Sequence, residues 1–383
     1  MQTLKVGLIG TGYIGRCHAI AYAQAPTVFN LQNKIELDFL AEITPELAAQ
    51  RAKEFGFKRS TGDWREIVSD PDINVIDICT PNFLHKDIAI AAIKQGKHVY
   101  SEKPLALTAK DAKIMAQLAQ QYGVKTLVGF NYSKNPTTQL ARQIIQNGEI
   151  GEIIHFYGTH NEDYLANPNT PIDWHCLTAT AGLGTLGDLG AHIINMAQYL
   201  VGEDIISVSG DMQTLITQRP DPTNLTHLIP VENEDQASAL LRFKNGAMGT
   251  IETSRIACGR KMGLTYVITG TKGAISFTQE RMAELKLYLH DQNPSRQGFK
   301  TILTGPTHPD YQAFCISAGH GIGFNDQKTV EIRDLVCGIL DNQPLYPDFL
   351  EGYKVSLILE AIAESAKQRC WIDIKQFEEK VIS

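Results

Sequence analysis

The sequence predicts an α/β domain built on a parallel sheet, followed by an α+β domain with a large, open and mainly antiparallel sheet. Three observations carry this prediction. Strand and helix patterns alternate up to about residue 128, and strands follow one another without intervening helices after about residue 150. A chain of 383 residues is also too long for one ordinary domain.

Leu4–Ile9 is an apolar strand that runs into Gly10-Thr-Gly12-Tyr-Ile-Gly15, and Ile14–Gln24 reads as the helix that follows. Gly10 suits the tight turn, Gly12 lets backbone approach a pyrophosphate, and Gly15 lets helix and strand pack closely. The unpaired N–H groups of the helix start favour an anion, and Tyr13 and Ile14 are placed to touch the same ligand. A strand before and a helix after favour dinucleotide binding over a merely glycine-rich turn. Lys34–Ala41 is the second strand, with Glu42 at its carboxyl end, 27 residues after Gly15. A carboxylate there accepts the adenosine ribose hydroxyls and repels a 2′-phosphate, favouring NAD over NADP. The competing reading has Glu42 capping the helix that opens at Thr44-Pro45.

Asn74–Cys79, Lys97–Tyr100 and Val124–Val128 continue as strands, alternating with helices at Phe83–Lys94 and Thr108–Tyr122. Ligands of such parallel sheets lie beyond the carboxyl ends of the strands, which singles out Thr80-Pro-Asn82 and Ser101-Glu-Lys-Pro104. Residues 1–128 are therefore expected to form a Rossmann NAD-binding domain. Residues 129–383 are expected to form an α/β substrate-binding and oligomerisation domain. Its strands are Ile153–Glu162, Ser207–Leu215, Asp235–Phe243, Ala247–Arg255, Leu264–Thr269, Ala274–Thr278 and Leu285–Leu289. Its helices are Asp188–Leu200, Asp326–Asp341 and Phe349–Lys367, and residues 293–325 read as an irregular, lid-like stretch. An antiparallel sheet with one uncovered face suggests a homodimer or homotetramer.

Composition narrows the function classes. A hydrophobic content of 43% with 20% charged residues is that of a soluble globular protein, and the net charge of −7 argues against nucleic acid or anionic membrane as partner. No apolar stretch reaches membrane-spanning length, and the chain opens on a strand with no signal-peptide pattern before it. Seven cysteines without a C-x-x-C spacing suggest thiols in a reducing cytoplasm and no zinc framework.

Lys103, Asp188 and His192 are the candidate catalytic residues, converging if the two domains share a cleft. Alcohol oxidation by NAD needs a group that takes the hydroxyl proton, and a lysine or histidine suits that task. Asp188 and His192 are four apart on one helix face, with Asn195 placed to hold the imidazole. The plain alternative is an N-cap aspartate before an ordinary packed histidine. The glycines of Thr180–Gly187 favour the functional reading, since they would let backbone approach a bound molecule. With no third ligand nearby, the pair matches no metal site.

These residues resemble the Gfo/Idh/MocA oxidoreductase family, inositol and sugar dehydrogenase branch, over essentially the whole chain. The matching motifs are Gly10-x-Gly12-x-x-Gly15, Cys79-Thr-Pro-Asn-x-x-His85, Ser101-Glu-Lys-Pro104, Gly129-Phe-Asn-Tyr132 and Gly187-Asp-x-Gly-x-His192. The resemblance implies oxidation of a ring hydroxyl of a sugar or cyclitol by Lys103, Asp188 and His192, the proton acceptor being either Lys103 or His192. It implies cofactor contacts from Thr80, Asn82, His85, Glu102 and Lys103, and a cis bond before Pro104. Tyr132, and Asp163, Trp174 and His175 from the segment 161–175, would join the substrate site. The chain departs from the family's pattern in Asn195, where many relatives have Asp, and in Ser133, where many have Arg. The second departure favours an uncharged substrate. An NAD-dependent glycosidase and a non-catalytic sugar sensor of the same fold are the alternatives.

Overall fold

The structure is a computed structural model that describes residues 3–290 and 293–382. The chain forms two units, Met1–Lys134 with Ile322–Lys354, and Asn135–Gly321 with Val355–Ser383.

The first unit begins with β1 (Thr3–Ile9), α1 (Tyr13–Val28), β2 (Lys34–Ala41), α2 (Pro45–Phe55), β3 (Arg59–Thr61) and α3 (Trp64–Ser69). β4 (Val75–Ile78), α4 (His85–Lys94), β5 (His98–Ser101), α5 (Ala109–Tyr122) and β6 (Thr126–Val128) complete its alternation. The six described strands stand in the order β3-β2-β1-β4-β5-β6, and every pairing is parallel. This order places the change of direction between β1 and β4, where dinucleotides bind in such sheets. All four β4 residues are buried, so Asp77 sits in the middle of the apolar sheet.

The second unit opens with α6 (Pro136–Gln146), β7 (Ile153–Asn161), α7 (Thr178–Ala181) and α8 (Ala191–Val201). There follow β8 (Ile205–Gln213), β9 (Gln218–Asp221), β10 (Asn224–Pro230), β11 (Gln236–Phe243) and β12 (Met248–Ser254). β13 (Gly263–Gly270), β14 (Gly273–Thr278), β15 (Glu284–Leu289), β16 (Lys300–Leu303) and α9 (Tyr311–Phe314) come next. Nine described strands form one sheet in the order β16-β15-β14-β13-β7-β12-β11-β8-β17, β17 being Ile372–Asp373. Only β7 and β12 pair in parallel among them, so the sheet is mainly antiparallel. β16 lies within the stretch expected to be irregular, and pairing with β15 makes it the sheet's edge.

α10 (Phe324–Leu340) belongs to the first unit. Its Ile332, Leu335 and Val336 are buried in one cluster with Leu4, Val6, Tyr22, Val75 and Tyr100. A single cut after residue 128 therefore does not describe the chain: the first unit runs on to Lys134 and takes back Ile322–Lys354, because its core is incomplete without the apolar stripe of α10. α11 (Phe349–Gln368) continues past this return, and α12 (Ile374–Ile382) ends the described chain. No described helix is long and apolar enough to cross a membrane.

Candidate active site

Gly10 has φ of 93°, in the left-handed region, and a Cβ there would stand 2.6 Å from the Cys79 carbonyl oxygen. A Cβ on Gly15 would meet the Gly10 carbonyl oxygen at 2.2 Å, so α1 can start this close to the turn only with glycine. Gly12 differs, because nothing lies within 4 Å of its Cβ position and the backbone there is open to a ligand. Among the described residues no side chain caps α1, which leaves its first N–H groups for an anion. Tyr13 is 74% exposed at this helix start, and Ile14 packs on the cluster around Leu8 and Leu40.

Glu42 faces the same loop. Its Oε1 accepts the Thr11 N–H at 2.8 Å and the Thr11 hydroxyl at 2.5 Å, and its Oε2 accepts the Ile43 N–H. The reading of Glu42 as the cap of α2 does not hold: Thr44 is that cap, accepting the Leu47 N–H at 3.2 Å. Beyond β4, the Thr80 hydroxyl is buried with no hydrogen-bond partner among the described residues. An orphaned buried hydroxyl, an open Gly12 and an uncapped helix start are a set that a dinucleotide fits. Asn82, also buried, opens the turn ahead of α4.

His85 has both ring nitrogens on backbone oxygens, Nδ1 at 2.9 Å from Pro104 and Nε2 at 2.9 Å from Thr80, and burial pushes its pKa down. It ties together the loops that follow β4 and β5, so its part is to fix them rather than to offer a nitrogen to a cofactor. The Lys103–Pro104 bond is cis. Tyr132 is buried beside the Phe324 ring, 6.1 Å between centroids.

A buried charge cluster that the sequence reading missed lies behind Lys103. Glu102 Oε1 accepts from Lys328 and lies 3.0 Å from His18 Nε2, and Oε2 accepts the Lys103 N–H at 3.2 Å. His18 Nδ1 sits 2.9 Å from Asp77 Oδ1, and Lys328 also reaches Glu331 at 3.1 Å. Burial, the largest single effect, would lower the His18 pKa, but the charge and hydrogen bond of Asp77 together with the hydrogen bond to Glu102 outweigh it, and the value rises to about 9. Burial likewise opposes the ionised Glu102, yet Lys328 and His18 hold its carboxyl well below the usual range. His18, Asp77 and Cys79 approach one another closely enough to ligate a metal. Both imidazole nitrogens are already on carboxylates and burial pushes the Cys79 thiol up, so the trio is a hydrogen-bonded cluster. The legible signal was Asp77, a carboxylate inside an all-apolar strand that must find buried partners.

In the second unit the expected helix Asp188–Leu200 is a π-turn, Leu186–Gly190, running into α8. Glu234 fixes this turn: its carboxylate accepts the Leu186 N–H at 2.8 Å and its carbonyl oxygen accepts the Thr185 N–H. The glycine run ahead of it was expected to make room for a bound molecule. For Gly184 the neighbour is protein, because a Cβ there would stand 2.2 Å from the Glu234 carbonyl oxygen. Asp188, half-buried, accepts from the Tyr164 hydroxyl at 2.7 Å. His192 is buried, with its ring 5.5 Å from that of His160, whose nitrogens meet the Leu189 carbonyl oxygen and Glu162. Asn195 is buried one turn further along α8.

The segment 161–175 is anchored. Buried Arg219 donates to the carbonyl oxygens of Leu165 and Asn167, and Leu165, Ile172 and Cys176 share an apolar cluster with Val231. Trp174 stacks on His175 at 3.7 Å, and Arg255 donates to the His175 carbonyl oxygen. Asp163 has its carboxylate on Lys261, at 2.7 Å, and on the Gly259 N–H. Its observed task is to tie two loops together. Tyr164 and His160 belong with these polar groups and were not picked out from the sequence.

A parallel sheet of this strand order, with an open glycine turn and an acid beside it, defines a dinucleotide-binding protein. The comparisons agree. The oxidoreductase-family NAD-binding Rossmann fold matches residues 4–130, and the GFO/IDH/MocA C-terminal domain matches residues 138–276. The chain belongs to the Gfo/Idh/MocA oxidoreductase family. It is 41% identical over 388 residues to levoglucosan dehydrogenase of Pseudarthrobacter phenanthrenivorans, covering 98% of this chain and 99% of that protein. It is 31% identical over 363 residues to glucose-6-phosphate 3-dehydrogenase of Bacillus subtilis, covering 94% and 95%. A solved structure of levoglucosan dehydrogenase in complex with NADH and L-sorbose matches with a TM-score of 0.95 at 42% identity, covering 98% and 99%. The complex with NADH and levoglucosan matches with a TM-score of 0.94 at 41% identity, covering 97% and 99%.

Proposed function

We propose that this chain is an NAD-dependent dehydrogenase that oxidises a secondary ring hydroxyl of an uncharged sugar, with anhydrosugars of the levoglucosan type as its leading substrates. One observation carries the reading: Lys103, Asp188 and His192 stand in a chain 41% identical to a levoglucosan dehydrogenase across nearly its whole length. When bound, NAD accepts the hydride from the carbon that bears the hydroxyl. His192 takes the hydroxyl proton while Lys103 donates to the same oxygen, or the two exchange these tasks. Asp188 accepts from a neighbouring hydroxyl and orients the ring, held in place by Tyr164. Trp174 offers an apolar face to the ring, and Asp163 stays with Lys261. Thr80, Asn82 and Glu42 hold the dinucleotide.

An uncharged substrate fits the residues that follow Tyr132. The Ser133 hydroxyl donates to the Phe130 carbonyl oxygen at 2.9 Å, and Lys134 is paired with Asp334 at 2.8 Å. Neither is presented to a phosphate as an arginine would be. NADH formation across levoglucosan, glucose, glucose 6-phosphate and myo-inositol, with NAD or NADP, tests the reading. Turnover with levoglucosan and NAD above the rest supports it. Preference for glucose 6-phosphate, or no turnover with any of the four, overturns it.

We also infer self-association through the sheet of the second unit. Tyr157 and Leu240 are exposed on either side of Thr250 in one cross-strand row, with Met248 exposed on the same strand as Thr250. Light scattering that finds a dimer or larger assembly, reduced to monomer by Tyr157→Lys with Leu240→Lys, is the expected result. A monomeric parent protein contradicts it.

A further inference from the structure

We propose that Lys328 is a positioning residue for Lys103, acting through Glu102, so that the turn carrying the reactive lysine is set by a side chain from the returning segment of the chain. Glu102 and Lys328 are 226 residues apart in sequence. They meet in the core of the first unit, where Lys328 is 1% exposed. The inference rests on the dehydrogenase reading only for the task given to Lys103. The clamp itself is a matter of geometry.

The Glu102 carboxylate has two jobs, divided between its oxygens. Oε1 is pulled into the core by two donors, the Lys328 ammonium and His18 Nε2 at 3.0 Å. Oε2 accepts the N–H of the next residue, Lys103, at 3.2 Å. A carboxylate held at one end by two cationic groups has little freedom to rotate, so the other end becomes a fixed acceptor. Lys328 is itself held from behind: Glu331 lies 3.1 Å away and accepts the Tyr100 hydroxyl at 2.6 Å. The Tyr100 ring stacks on His18 with 4.5 Å between centroids. Each end of the cluster therefore rests on another charged or aromatic group, and the chain of contacts reaches the backbone of Lys103 with no solvent-facing link.

Such a cluster is costly to bury, and an apolar core of equal volume would serve stability as well or better. Its use is specificity of position. Small displacements of a reacting group cost about hundredfold in rate. Lys103 stands between Glu102 and Pro104, in a turn whose N–H is tied to this carboxylate.

Amide hydrogen exchange of the segment 101–105, read in the cofactor-free protein, tests the clamp without any turnover. Lys328→Met should speed exchange at Glu102 and Lys103 by roughly tenfold or more, while β1 and β4 stay protected. In the loaded enzyme the same variant should lower kcat by at least about tenfold with KM for the sugar and NADH affinity changed less than about threefold. Lys328→Arg, which keeps the charge, should recover most of both losses. The paired change Lys328→Met with Glu331→Gln removes the cation together with its second anion, which protects folding where the single variant fails. It must loosen the same amides.

Exchange at residues 102 and 103 that stays at the parent rate in either variant overturns the clamp. Faster exchange with kcat unchanged overturns its link to Lys103. A parallel loss of NADH affinity and protection across the whole unit, not recovered by Lys328→Arg, overturns positioning in favour of plain structural support. If the parent protein turns over none of the sugars offered, the substrate reading falls, and the exchange experiment still decides the clamp.

Discussion

The Tyr164 hydroxyl donates a 2.7 Å hydrogen bond to Asp188 Oδ2, linking the anchored segment 161–175 to the π-turn ahead of α8. Asp188 is thereby held by a residue that performs no proton transfer of its own. Burial, then the Asp188 charge, keeps the phenol pKa well above its ordinary value, so Tyr164 stays a donor across the working pH range. Tyr164→Phe should raise KM for the sugar roughly tenfold, the scale of one hydrogen bond to a charged group, and leave NADH affinity unchanged. Steady-state kinetics with a fluorescence titration of NADH separates the two effects. An unchanged KM would remove Asp188 from sugar recognition.

The three glycines of the first turn should respond differently to a methyl group. Gly15→Ala places a Cβ 2.2 Å from the Gly10 carbonyl oxygen and should lower stability by about 1–3 kcal/mol, read from urea denaturation. Gly12→Ala meets nothing in the protein and should leave stability alone while weakening NADH binding roughly tenfold or more. Equal effects from both variants would contradict the roles given to them.

The proposed task of Glu42 is to choose between the two dinucleotides. Glu42→Ala removes a carboxylate that accepts from Thr11 and Ile43, and should shift the NADP-to-NAD ratio of kcat/KM upward by roughly tenfold to hundredfold. A ratio that does not move would mean that Glu42 only braces the glycine turn.

The charge cluster predicts a pH dependence of stability. The folded pKa of His18, about 9, lies above the ordinary value of 6.5, so folding favours the protonated ring. The stabilisation is complete below about pH 6.5 and is lost as pH rises through about 9, with a slope of at most about 1.4 kcal/mol per pH unit. Asp77 of β4, Cys79 just beyond it, Tyr100 and Glu102 at β5, and Lys328 and Glu331 from α10 share this site; Asp77 and Glu102 raise the value, and Lys328 lowers it. Denaturation midpoints measured from pH 6 to 9 should fall in the parent protein and flatten in His18→Asn. A parent profile as flat as the variant's would remove His18 from the cluster's charge balance.

Much of this was legible from local pattern. Gly10, Gly12 and Gly15 follow an apolar strand, and the sheet that results has the strand order such a turn belongs to. Gly187-Asp188 and His192 could be picked out because they crowd one helix start. The contacts that hold these residues were not legible, because they come from far along the chain. Lys328 reads as an ordinary helix lysine until α10 is known to return to the first unit, and nothing local marks Arg219 until its guanidinium is seen under the segment 161–175. His85 matched a motif, but motif membership does not say whether a ring nitrogen meets a ligand or, as here, two carbonyl oxygens. Sequence position gave the chemistry of each group, and only packing gave its partner.

The proposed reaction is hydride transfer to NAD from the carbon that bears a sugar hydroxyl, with the hydroxyl proton handled by Lys103 and His192. The most direct test follows NADH and sugar ketone together from levoglucosan and NAD, with the parent protein beside Lys103→Met and His192→Gln. The parent protein should form one NADH for each ketone, and each variant should be slower by roughly a hundredfold to ten-thousandfold with NADH affinity kept. Ketone-free cleavage of a glycoside without NADH, or a Lys103→Met variant within about tenfold of the parent rate, would contradict it.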